Sequence, residues 1–293
     1  DKLNHRISVL QLSVLVVSRN PQRLSGMLKS LKNALSLSSN SVEVLCSWNG
    51  KEEDMANIIN ESGYDFSIAQ KQKYHYSKNN NRLAYKASGE LLALINDDVQ
   101  LDPCSLDSGI SCIESQTEAT LVGALLRTPD QKLQHIGFTF DAQFNPHHIA
   151  EGIINAQDAC EDVLSFEVPA VTAAVAIVRR DVFLKILFNE AYQRCGEDIE
   201  FNLDLRQKHQ GQVLLCPKLS GIHAESATRI ENGQQGNTSE DMITMRARIR
   251  EFFEQATISQ LRVALDMANR ERSLILKSIK EQQLNLANDV ELQ

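Results

Sequence analysis

The sequence has no apolar run long enough to cross a bilayer: Leu12 to Val17 and Val168 to Val178 are short or interrupted, with no charged-then-apolar signal before them. No transmembrane segment is expected. Basic charge is also scarce, since 30 Lys and Arg against 38 Asp and Glu leave a formal net charge of -8. That balance gives no drive toward nucleic-acid backbones or anionic lipid, so nucleic acid is not an expected partner. The six cysteines (Cys46, Cys104, Cys112, Cys160, Cys195 and Cys216) include no CxxC pair, and a chain of 293 residues needs no disulfide staples. Reduced thiols and a cytoplasmic location, with peripheral attachment to the inner face of a membrane as an option, are the expectation. No internal repeat or low-complexity segment is evident. The chain opens on Asp1 rather than Met, as expected of a processed product or a piece of a longer polypeptide.

With 42% hydrophobic and 23% charged residues the chain has an ordinary globular composition, and at this length it can bury roughly three quarters of its unfolded surface. Strand and helix signals alternate. Leu12 to Ser18 reads as a buried strand, Arg19-Asn20-Pro21 breaks it, and Leu24, Met27, Leu28, Leu31 and Leu35 recur at helical spacing. Val42 to Ser47 is a second strand ended by Asn49-Gly50, and Glu52 to Asn60 reads as helix. Further on, helix Leu83 to Ser88 leads into strand Glu90 to Ile95, a helix runs to about Ser115, and Leu121 to Leu126 is another strand. Arg127 to Asp162 is rich in Pro, Gly, His, Asn and Asp and reads as an irregular excursion carrying His135, His147 and His148. Val168 to Val178 resumes as strand, Arg180 to Leu187 and Glu197 to Lys208 as helices, and Val213 to Cys216 and Leu219 to His223 as strands. This pattern predicts an α/β fold with a mostly parallel central sheet flanked by helices.

A polar stretch, Arg229 to Glu240, reads as a linker, so the division expected is 1–235 as the main domain and 236–293 as a C-terminal helical extension. Its helices, Asp241 to Phe253 and Ile258 to about Leu286, contain no glycine or proline. Leu261, Ala268 and Ile275 recur every seven residues, but the companion row Leu265, Arg272, Ile279 and Leu286 is broken by arginine. That break favours docking on the main domain, a partner or a second copy over a coiled coil.

Three short runs carry chemistry. Asn96-Asp97-Asp98 follows an apolar strand at the carboxyl edge, where open α/β sheets bind ligands, and its oxygens suit a hard divalent cation bridging phosphates. Taken singly, the run is what an Asx turn looks like. Gly196-Glu197-Asp198 opens a helix, where acids also complement the positive helix end. Asp198 is the candidate general base. His223 follows a strand and can complete a metal site, with Arg229 placed to meet phosphate oxygens, although a lone histidine is more often structural.

Together these runs resemble a known family, the inverting nucleotide-sugar glycosyltransferases of the A-type (GT-A) fold, family 2, especially rhamnosyltransferase-like bacterial members. The resemblance spans roughly Leu12 to Arg229. It is carried by LSVLVVSRN, by Asn79 followed by KASGELLALINDDVQLDP, by VGALLRTPDQKLQHIG, by VPAVTAAVAIVRRDVF, and by CGEDIEFNLDLRQKHQGQVLLCP and GIHAESATR. It implies Asp98 and His223 as ligands of Mn²⁺ or Mg²⁺, Asp198 as base, and Asn96 or Asp97 on the ribose or sugar. Arg19, Asn20, Trp48, Asn49 and Arg229 fall on the donor side, and Glu197 and His135 on the acceptor side. The implied reaction moves a hexosyl unit with inversion from a UDP- or dTDP-sugar, dTDP-rhamnose among them, to a glycan or lipid-linked acceptor in polysaccharide biosynthesis. Two departures stand out: Trp48 precedes Asn49-Gly50 where the family has an acid, and Asp204 replaces a frequent arginine. A nucleotidyltransferase and a nucleotide-sugar-binding scaffold without catalysis are the alternatives.

Overall fold

The structure, a computed structural model, describes residues 10–160, 164–224 and 239–291. Its first strand, β1 (Leu12–Ser18), is buried on both faces: Leu12, Val14 and Val16 point into one apolar cluster and Leu15 into another. Period-2 alternation between two apolar layers is the signature of a strand covered by helices on both sides. Helix α1 (Pro21–Ala34) starts where the sequence breaks, with Pro21 in its first turn and the Asn20 side chain accepting the Arg23 N–H at 3.0 Å.

The parallel part of the sheet runs β4 (Leu91–Ile95), β1, β2 (Val42–Trp48) and β3 (Asp65–Lys71). On the other side of β4 the strands become mixed. Strand β11 (Val175–Arg179) lies antiparallel between β4 and β6 (Ala119–Arg127), and β12 (Gln212–His223) runs parallel to β6 and antiparallel to the edge strand β10 (Phe166–Glu167). The end of β12 also pairs with the short β5 (Val99–Leu101), setting His223 opposite Val99. Strand β7 (Leu133–His135) adds to β6, and β8 (Phe138–Phe140) and β9 (Pro146–His148) form a separate hairpin.

Helices α1 and α3 (Ser105–Ser115) cover one face of the sheet. The opposite face carries α2 (Tyr76–Lys86), α4 (Arg180–Ile186) and α5 (Glu197–Lys208), with Leu83, Phe183, Phe201 and Leu205 buried against it. Helix α5 is apolar on two sides. Phe201 and Leu205 face the sheet, while Ile199 and Leu203 join Met245, Ile249 and Phe252 of α6 (Ser239–Gln255). The long α7 (Ile258–Glu291) follows after two residues. Among the described residues no helix is long and apolar enough to cross a membrane.

Several stretches differ from the sequence expectation, among them the helix read from Leu83, which begins at Tyr76. Glu53–Asn57 is a short 3-10 helix rather than the helix read from Glu52 to Asn60. The apolar run from Val168 becomes strand only at Val175. The N–H groups of Val171, Thr172, Ala173 and Ala174 go to the side chains of Asn202, His135, Asp198 and Thr172 instead of a neighbouring strand. A backbone whose donors are met by side chains has no need of a ladder.

Candidate active site

A cleft of about 460 Å³ opens at the carboxyl ends of β1, β4 and β12. Strand β4 ends in a tight turn, with the Val99 N–H donating to the Asn96 carbonyl at 3.3 Å and the Asn96 N–H to Ala174 at 2.9 Å. The turn aims Asn96, Asp97 and Asp98 into the cleft. Strand β12 arrives alongside, because the Ala224 N–H bonds the Asp98 carbonyl at 3.2 Å and continues the β5 pairing. Asp98 and His223, 125 positions apart in sequence, are thereby fixed side by side.

The imidazole of His223 is oriented from behind. Gln134, buried on β7, accepts from Nδ1 through Oε1 at 2.9 Å, while its Nε2 donates to the His223 carbonyl at 3.5 Å. With the proton on Nδ1, Nε2 offers a lone pair, and Asp98 Oδ1 lies 3.2 Å from it. Asn96 Nδ2 is 3.5 Å from the same nitrogen. Two acceptor atoms at that separation repel unless a proton or a cation lies between them. A carboxylate oxygen and an imidazole nitrogen backed by an amide are a donor pair that Mn²⁺ accepts. Among the described residues no three His, Cys, Asp or Glu side chains gather at one point. A cation held by two protein groups leaves its other positions for phosphate oxygens and water, the usual arrangement for phosphate-bridging divalent ions.

Asp97 turns away from this pair and receives the Ser18 hydroxyl at 2.6 Å. Burial pushes its carboxyl up to about 6; the Ser18 bond and the Arg23 and Arg19 charges oppose that rise, and Asp98 adds to it. Arg19 and Asn49 line the cleft, with Asn49 held by a 2.6 Å bond to the Gln72 carbonyl.

The opposite wall carries Asp198. Gly196 precedes it at φ 108, where an added Cβ would sit 2.7 Å from the Tyr192 ring, so glycine fits this helix entrance and larger residues are strained. Asp198 Oδ1 accepts its neighbour Ile199 N–H at 2.8 Å, and Oδ2 faces the Ala173 N–H at 3.4 Å. Half-buried and cleft-lining, it remains reachable by a ligand. Glu197 is buried beside it. Tyr76 donates its hydroxyl to the Ala173 carbonyl at 3.0 Å, and burial, then the charges of Glu197, Asp198 and Asp98, hold that phenol protonated well above its ordinary range.

His135 is fully buried in the cleft wall with both nitrogens engaged. Its Nε2 accepts the Thr172 N–H at 3.1 Å, which leaves the proton on Nδ1, 2.6 Å from His148 Nδ1. Burial, reinforced by His148 and His223, holds His135 well below the ordinary imidazole range, so it stays neutral. His148 carries the pair to the cleft surface.

Trp48, Asn20 and Asp204 are engaged in contacts of their own. Trp48 fills the core at 1% exposure, its indole N–H donating to the Lys51 carbonyl at 2.9 Å and its ring packed under Gly50, so it does not line the cleft. The Asn20 side chain is committed to capping α1. Asp204 sits away from the cleft and is paired with Lys208 at 2.6 Å and with Arg248 of α6 at 2.7 Å. Arg229 lies outside the described residues.

Several participants went unread in the sequence. Gln134 and Tyr76 carry no local signal. Asp241, at the start of α6, accepts the N–H groups of Gln193, Arg194 and Cys195 at 3.1, 2.8 and 3.4 Å, and so pins the loop that delivers Asp198. Met245, one turn further on, lines the cleft itself.

No protein-family model matches the chain. Over 167 residues it is 35% identical to the O-antigen biosynthesis protein RfbC of Myxococcus xanthus, a match covering 53% of this chain and 12% of that protein. It is 28% identical over 160 residues to the uncharacterized protein y4gI of Sinorhizobium fredii, covering 53% and 18%. The chain therefore spans less than a fifth of the curated relatives it matches. Among solved structures it is similar to the mannosyltransferase PcManGT from Pyrobaculum calidifontis in complex with GDP-Man and Mn²⁺ (TM-score 0.54, 10% identity, 96% of this chain and 80% of that one). It is also similar to GalNAc-T7 with UDP, GalNAc and Mn²⁺ (0.60, 13%, 96% and 58%) and to S. aureus TarS in complex with UDP-GlcNAc (0.59, 13%, 90% and 73%). At these identities the likeness is one of fold: the chain has the GT-A glycosyltransferase fold.

Proposed function

We propose that the chain is a metal-dependent glycosyltransferase that moves a sugar, with inversion, from a nucleoside-diphosphate donor to a hydroxyl of a glycan or lipid-linked acceptor. One observation carries this reading. Asp98 Oδ1 and His223 Nε2 face each other 3.2 Å apart at the sheet edge, with Asp198 across the same cleft. Asp98 and His223 would hold Mn²⁺ or Mg²⁺, which when bound offsets the charge that grows on a departing diphosphate.

Asp198 accepts the proton of the attacking hydroxyl, which must leave as the new bond forms. Attack from the wall opposite the diphosphate inverts the anomeric carbon in one displacement. Asn96, Asp97 and Ser18 form the floor under the ribose or sugar, and Arg19 and Asn49 meet the nucleotide at the rim. Because Trp48 is sealed in the core, recognition of the base falls to the rim backbone and Asn49. UDP- and dTDP-sugars, including dTDP-rhamnose, are the donors proposed. The O-antigen biosynthesis relative supports a setting in polysaccharide assembly. We assign residues 236–293 as a helical extension that completes the site wall through Asp241 and Met245.

Titration calorimetry with UDP, dTDP and GDP, with and without Mn²⁺, tests the donor half. Metal-dependent binding that Asp98→Asn abolishes is expected, and a chain that binds none of the three would end the proposal. For the base, Asp198→Asn should lower turnover about 10²–10⁴-fold while the nucleotide Kd is kept.

A further inference from the structure

The net charge of -8 gives the chain as a whole no attraction to anions, but its charge is unevenly spread. Between Lys71, at the end of β3, and Lys86, at the end of α2, the exposed residues are Lys71, Lys73, Tyr74, Lys78, Arg82, Tyr85 and Lys86. Each is basic or a tyrosine, and the stretch holds no acid. On α2 they form a stripe. At about 100° per residue, positions 78, 82, 85 and 86 fall within an arc of about 100°, while Asn79, Asn80, Leu83 and Ala84 are buried on the other side.

Contacts join this stripe to the sheet edge. Arg82 donates to the Gln72 side chain and Lys86 to the Ala69 carbonyl, so the α2 stripe and the end of β3, the last strand of the sheet, form one surface. Lys71 is paired with Glu52, whereas the side chains of Lys73 and Lys78 have no ion-pair partner among the described residues. The surface reaches the cleft, because Tyr74 lines it. Tyr74 and Tyr85 are 40% and 60% exposed. Lysines also guard an edge strand against pairing with another, but that purpose needs neither the cations of the helix nor the tyrosines.

We propose that this surface seats the protein on an anionic lipid bilayer, with the mouth of the cleft beside the headgroups. A group of cations is drawn to the negative surface potential of such a membrane. Tyrosine, with an apolar ring and a polar hydroxyl, settles at headgroup depth. Nucleic acid is the other polyanion that basic and aromatic residues fit. The choice of lipid rests on the transferase reading above with a lipid-linked acceptor. A surface that touches both bilayer and cleft brings the reacting end of such an acceptor to the cleft while its lipid stays in the membrane. The acidic remainder of the chain is repelled by the same potential and turns away, which fixes the orientation.

Co-sedimentation with vesicles of about three parts phosphatidylglycerol to seven of phosphatidylcholine, without nucleotide or metal, tests the surface. At about 0.1 M salt the 293-residue chain should sediment with these vesicles, stay in solution with phosphatidylcholine alone, and be released at about 0.5 M salt. Lys73→Glu with Lys78→Glu should weaken binding about tenfold or more. Tyr85→Ser should weaken it about twofold or more with the salt dependence kept. The proposal is overturned by a chain that ignores the anionic vesicles, whether or not it binds a single-stranded oligonucleotide, and by binding that the double charge reversal leaves unchanged. Both lysines are exposed and lie outside the cleft, and an unchanged circular dichroism spectrum checks that the fold survives. Nucleotide binding is read separately by calorimetry. A chain that binds nucleotide but no vesicles loses this inference alone, and one that binds vesicles but no nucleotide keeps it and loses the transferase reading.

Discussion

Gln134 is the residue on which the orientation of His223 depends, and it touches neither the proposed cation nor any proposed substrate atom. Its amide holds the Nδ1 proton and the main-chain carbonyl of the same histidine, so the ring can neither flip nor change tautomer without losing a buried bond. Gln134→Leu keeps the volume and removes both bonds. Calorimetry should show Mn²⁺-dependent nucleotide binding weakened about 10–100-fold, with the thermal unfolding profile still cooperative. His135 supplies a pH dependence of stability. Its folded-state imidazole is held neutral well below the ordinary range, whereas in the unfolded chain it titrates near 6.5. As pH falls below about 6.5 only the unfolded chain takes up this proton, so stability falls by up to about 1.4 kcal/mol per pH unit until the folded-state value is reached. Urea denaturation from neutral pH to about pH 5 should show this loss, and His135→Gln should flatten it by one proton's worth.

The elements divide into those their own residues announce and those defined by distant partners. Helix α6 is of the second kind. Its Asp241 carboxylate gathers three successive N–H groups of the loop before Gly196, so it positions Asp198 from more than forty residues away. Asp241→Ala should lower turnover while leaving nucleotide Kd unchanged, and should cost about 1–3 kcal/mol of stability for the acceptor it removes. A variant with full turnover would show that the loop holds its shape unaided. Strand β1 and helix α1 are legible because alternation, Asn20 and Pro21 all act locally. Strand β3 was not: it lies at the sheet edge, is largely half-exposed, and its Asp65, Ser67 and Gln70 leave no apolar run to read. The segment before β11 misled in the opposite way. Its apolar residues promised a strand from Val168, but four of its donors are taken by side chains that arrive from β7 and α5 as well as from the segment itself. Asp98, Asp198 and His223 could be named from the resemblance, whereas Gln134 and Asp241 could not, because a hydrogen bond across the fold leaves no mark in the local sequence. Trp48, which the resemblance places on the donor side, is a piece of core.

At the scale of the whole molecule, the sheet is asymmetric in how far its strands reach along the chain. The parallel half joins β1, β2, β3 and β4, all within the first hundred residues. The mixed half closes only when β12 lies between β6 and β10 and its tip pairs with β5. That single strand carries His223 to Asp98 and covers the open flank of β6, whose Leu121, Val122, Ala124 and Leu126 are buried in the finished fold. Pairing over such a separation is slow, because the intervening chain must be closed into a loop before the contact is rewarded. During synthesis the first half of the sheet therefore has time to form while β6 still lacks a neighbour on that flank. The Asp98–His223 pair is among the last features to appear, so a chain interrupted before residue 223 would carry the floor proposed for the nucleotide without the pair proposed to hold the cation.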